Sequence, residues 1–136
     1  VPVFANIGKG KATPNEAARR ELGLCRLIGI HLRTALHLAG FYRERDRFLG
    51  GGLSGPEALT EATGRMQEIL TAEIANAAAA LPLLEADFRL GYGFCYGIVY
   101  DAAMVREKLA QCCEIRDRDL PQQARDLRFH LYSLFP

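Results

Sequence analysis

One uninterrupted helical pattern of about 35 residues dominates this chain. Thr13-Pro14-Asn15-Glu16 is a helix start, with Thr13 as cap, Pro14 at the first helical position and Glu16 closing a capping box. Nothing breaks the pattern until Gly50-Gly51-Gly52. A helix over 13–49 at 1.5 Å per residue spans roughly 50 Å, longer than most compact domains of this size are wide. It must therefore act as a spine to which the rest of the chain is added.

At about 100° per residue, Ala18, Leu22, Cys25, Gly29, Leu32, Leu36 and Gly40 form one apolar stripe. Leu24, Leu27, His31, Ala35, Leu38 and Tyr42 form a second, and Ile28 and Ala39 fill the arc between them. Arg19, Arg26, Arg33, His37 and Glu44 mark the wet strip. So wide an apolar arc predicts packing against more than one neighbour. Any remainder left uncovered predicts an interface with another copy or another protein. Gly29 and Gly40, each unfavourable by about 1 kcal/mol relative to alanine in a helix interior, predict close approach of a partner helix.

A second start signal at Ser54-Gly55-Pro56-Glu57 predicts a helix over 54–84, with Ser54 as cap. Its stripe is Leu59, Ala62, Met66, Ile69, Leu70, Ala77 and Leu81, and Pro82 predicts a kink or stop. Residues 85–100, rich in glycine and tyrosine, read as an ordered loop. Asp101 caps a third helix over 101–119, ending before Pro121. The 120–136 tail is ambiguous between helix and a short strand, because Arg128 to Phe135 alternates. Residues 1–12 read as an extended lead-in. The fold class is all-α: a single domain, an up-and-down bundle of three to four helices with two long antiparallel members. Alanine and leucine, at 19 residues each, far outnumber valine and isoleucine, in keeping with helices rather than strands.

Composition excludes several classes of function. The formal net charge is +1, from 17 basic and 16 acidic residues, which argues against electrostatic nucleic-acid binding. No run of 18 apolar residues occurs, so no membrane span is expected. Cys25, Cys95, Cys112 and Cys113 lack C-x-x-C spacing, and Cys25 and Cys112 read as small buried hydrophobes. His31, His37 and His130 have no ligand spacing. No metal or cofactor is expected, and no compartment is indicated. The start at Val1 fits a trimmed N-terminus or a domain of a longer polypeptide.

Chemistry-bearing residues concentrate in 85–100. Glu85, Asp87 and Arg89 stand beside Tyr92 and Tyr96, a set suited to a sugar, with a local Asp87–Arg89 pair as the structural alternative. As paired acids, Glu85 and Asp87 share a face only in an extended segment, about 7 Å apart; on a helix they diverge.

The stretch Ala80-Leu81-Pro82-Leu83-Leu84-Glu85-Ala86-Asp87-Phe88-Arg89-Leu90-Gly91-Tyr92, followed by Tyr96-Gly97-Ile98-Val99-Tyr100-Asp101, resembles a helical region near the C-terminus of large bacterial glycoside-hydrolase-like proteins. The end of the first helix, Phe41-Tyr42-Arg43-Glu44-Arg45-Asp46, is also similar. Where that family pattern has a His-Gly-Glu-like element, this chain has Gly93-Phe94-Cys95. The resemblance implies a non-catalytic helical accessory or interaction domain of a carbohydrate-processing protein, partnered by other domains of that protein or by carbohydrate. The alternative is a self-contained bundle that works by binding itself or a partner, without enzymatic activity.

Overall fold

The computed structural model describes residues 14–50, 55–91 and 100–134, and every regular element among them is helical. The order is α1 (Pro14–Leu49), α2 (Pro56–Ala78), α3 (Leu81–Ala86), a 3₁₀ turn (Phe88–Gly91), α4 (Ala102–Glu114), a π turn (Ile115–Asp119) and α5 (Leu120–Leu134). The expected lead-in over 1–12, Thr13, Ser54 and the loop residues 92–99 lie outside the described residues.

Local chemistry explains the boundaries. The N-cap of α2 is Gly55 at φ 99°, which spares a side chain the left-handed strain, and no side chain caps this end. Pro82 does interrupt the second helix: α2 ends at Ala78 and a fresh turn carries Pro82 into the start of α3. Asp101 caps α4 by accepting from the Met104 N–H at 2.8 Å. The expected loop over 85–100 is helical in its first part, since Glu85 and Ala86 belong to α3 and Phe88–Gly91 form the 3₁₀ turn.

Pro121 corrects a second expectation. The helix neither ends before it nor gives way to a strand; it widens into a π turn and continues to Leu134. Proline has no N–H and crowds the carbonyl four residues back, and a π turn accommodates both. There the Leu120 N–H donates to the Ile115 carbonyl, which leaves the Arg116 carbonyl without its helical partner. Gln67 on α2 donates to that carbonyl at 3.0 Å.

Two apolar clusters hold the helices together. One joins Leu27 and Ile30 of α1 to Ala77, Ala80, Leu84 and Val105. The other joins Phe48 to Leu59, Ala62, Met66, Leu70 and Leu120, with Phe41, Cys112 and Ile115 packed on it. Position thus rises along α1 as it falls along α2. Taken together, Pro56–Ala86 is long and apolar enough to cross a membrane by length and composition alone. Its stripe Leu59, Ala62, Met66, Leu70 and Ala77 is nonetheless buried within these clusters.

Candidate functional site

The side of α1 that faces the other helices is not the side its hydrophobicity favours. Leu27, Ile30, Thr34, His37, Phe41, Glu44 and Phe48 alternate by three and four along the helix, and this seam meets α2 and its neighbours. His37 and Glu44, expected on the wet strip, belong to it. Glu44 is 3% exposed and accepts from Arg65 Nε at 3.1 Å and Arg47 Nη1 at 3.3 Å. Arg33 is exposed, as expected of the wet strip, and also donates through Nε to Asn76 Oδ1 at 2.8 Å.

A polar layer lies between the two apolar clusters. Glu73 of α2 is buried, and four donors surround its carboxylate: Thr34 Oγ1 at 2.7 Å, His37 Nδ1 at 2.6 Å, Asn76 Nδ2 at 3.4 Å and Lys108 Nζ of α4. Asn76 also donates to the Ile30 carbonyl at 3.0 Å, so α1, α2 and α4 are tied at one level. Burial pushes the Glu73 carboxyl up, but the bonds from Lys108, His37 and Thr34 outweigh it and hold the carboxyl below its ordinary value. Such a layer penalises any shift in helix register, because a slipped partner leaves a buried charge unpaired. The signal for it was in the sequence: Thr34, His37 and Glu44 fall at core spacing with Ile30, Phe41 and Phe48.

The apolar arc of α1 consequently faces outward. Leu22, Leu24, Ile28, Leu32, Leu36, Leu38 and Tyr42 are all exposed, with Leu32 at 63% and Leu36 at 72%. Cys25, expected to be buried, is exposed among them. At Gly40 an added Cβ would lie 3.5 Å from Ile69 Cδ1 of α2, an ordinary contact, so the close approach expected there is not what glycine is needed for. At Gly29, among the described residues, an added Cβ would meet only Arg33 of its own helix. On this face no charged residue intervenes between Glu21 and Arg43. His31, at its edge, has its ring 4.7 Å from that of Tyr100; burial and the nearby Lys108 charge lower its pKa, favouring the neutral form.

The residues singled out in 85–100 are distributed differently. Glu85 pairs with Arg106 of α4. Asp87 accepts from Arg89 at 2.7 and 2.6 Å in a bidentate pair and also from the Arg89 backbone N–H at 3.2 Å. That pairing, chiefly the side-chain bond from Arg89, lowers the Asp87 pKa against a smaller opposing effect of burial. Glu85 lies within α3 and Asp87 just beyond it, each with its own arginine. Tyr92 and Tyr96 lie outside the described residues. Among the described residues, no group of three or more His, Cys, Asp or Glu side chains is placed to hold a metal ion.

No protein-family model, no curated protein and no solved structure matches the chain.

Proposed function

We propose that this chain is a non-catalytic helical interaction module that docks onto another apolar protein surface through the outward arc of α1. In this reading α1 and α2 form the antiparallel pair of an up-and-down bundle, with the α4–α5 rod packed across them. The observation that carries it is the row of large apolar side chains from Leu22 to Tyr42, exposed along one charge-free face. A row of 21 residues runs about 30 Å along the helix, and contiguous exposure on that scale marks a binding surface rather than scattered surface leucines. The polar layer supports the reading as well, since it fixes helix register and so keeps the arc in one orientation. The resemblance of residues 80–101 supports a carbohydrate-processing protein as the larger context.

The test is dye binding by 8-anilinonaphthalene sulfonate, compared between the native chain and a Leu32→Glu/Leu36→Glu variant. The native chain should bind the dye or bury the arc by associating. The variant should lose both while keeping its helical circular dichroism. A variant that unfolds would show that the arc is core, and the reading would fall.

A further inference from the structure

Resting on that reading, we infer that the occupant of the arc is a second copy of this chain, laid antiparallel on the first across a two-fold axis near Leu32. Three observations lead there. The first is area: the exposed parts of the seven large side chains amount to roughly 700 Å², close to the ~800 Å² that each partner contributes to a standard stable interface. That area is spread round about 200° of the helix, so a contact centred on Leu32 buries chiefly Leu22, Ile28, Leu32 and Leu36, and the flanks of the two copies add the rest.

The second is charge at the two ends of the apolar row. Glu21 closes it at the N-terminal end and Arg43 at the C-terminal end, with Leu32 midway between them. Arg43 is 75% exposed and lies 3.6 Å from Glu44 of its own helix, so its guanidinium would be shared between Glu44 and the other copy's Glu21. An antiparallel pair centred on Leu32 sets Glu21 of each copy beside Arg43 of the other, giving two symmetry-related ion pairs. A parallel pair sets glutamate against glutamate and arginine against arginine. Opposed helix dipoles favour the same choice.

The third is closure. A two-fold contact uses the same patch on both copies, so assembly through this row stops at two. The row Leu22, Cys25, Gly29, Leu32, Leu36 and Ala39 also alternates by three and four residues, the spacing at which facing helices interdigitate. Gly29 lies within it, and among the described residues an added Cβ there would meet only the Arg33 guanidinium of its own helix, 3.7 Å away.

Sedimentation equilibrium of the full chain tests this. The native chain should be a dimer, and Leu32→Glu/Leu36→Glu should weaken it about 30-fold or more with unchanged circular dichroism. Glu21→Arg alone should weaken it roughly 5- to 30-fold, since each of two partly exposed pairs contributes about 0.5–1 kcal/mol. Adding Arg43→Glu should restore it. A dimer unmoved by the leucine variant overturns the inference, and so does a charge reversal that the second change does not rescue. A native monomer that binds the dye through Leu32 and Leu36 overturns the second-copy assignment and leaves the docking reading standing. A native monomer that does not bind the dye overturns both.

Discussion

Glu73 shows how one buried carboxylate can set conditions for the whole fold. It is 6% exposed, and its neighbours keep it charged: Thr34, His37 and Lys108 all direct donors or positive charge at it. Because its folded pKa lies below the ordinary 4.5, the stabilisation is complete above that value and is lost as pH falls through the lower folded value. Melts of the native chain should therefore drop as pH is lowered from about 6 to about 3. Glu73→Gln should begin about 3 kcal/mol less stable at the upper pH, since Lys108 loses its buried partner, and should show a shallower acid decline. The part of the decline owed to Asp87, whose pKa is also lowered, should persist. Identical acid profiles would mean that Glu73 is not held in the charged form. Nothing in residue type alone distinguishes Glu73 from the solvated Glu61 or Glu68 on the same helix; only the donors from α1 and α4 do. For that reason the α2 side of the layer is not legible in the sequence, although the spacing of Thr34, His37 and Glu44 on α1 is.

At the scale of elements, legibility followed the range of the signal. Pro56, Pro82 and Asp101 act on the backbone beside them, and α2, α3 and α4 start or break where those residues stand. Pro121 carries the same local signal, yet the helix passes it, because the outcome depends on a side chain from another element. Gln67 supplies the donor that the Arg116 carbonyl lost to the π turn. Gln67→Leu should lower stability by about 1 kcal/mol, measured by chemical denaturation. Exposed Gln123→Leu should change it by less than about 0.5 kcal/mol. If both variants behave alike, solvent satisfies that carbonyl and the contact is incidental. The 85–91 segment was misread as loop because α3 and the 3₁₀ turn that follows it are too short to show a period.

For the molecule as a whole, the decisive quantity is the rotation of α1 about its own axis. Periodicity measures how wide an apolar arc is, but not which part of it the rest of the chain covers. Here α2 and α4 covered the arc's edge at Leu27, buried Ile30 beside it and drew Thr34, His37 and Glu44 inward through complementary polar partners. The broad centre of the arc was left outside. All-helical architecture was legible from composition and period, whereas this rotation depends on pairings between residues about 20 to 75 positions apart. The most direct measurement is a pair of thermal melts, Leu27→Ala and Leu36→Ala, taken at a concentration low enough to keep the chain dissociated. Leu27 is 2% exposed and Leu36 is 72% exposed. Leu27→Ala should cost about 2–5 kcal/mol and Leu36→Ala less than about 0.5 kcal/mol. Equal losses, or a larger loss for Leu36, would put the arc inside the fold and contradict an outward docking face.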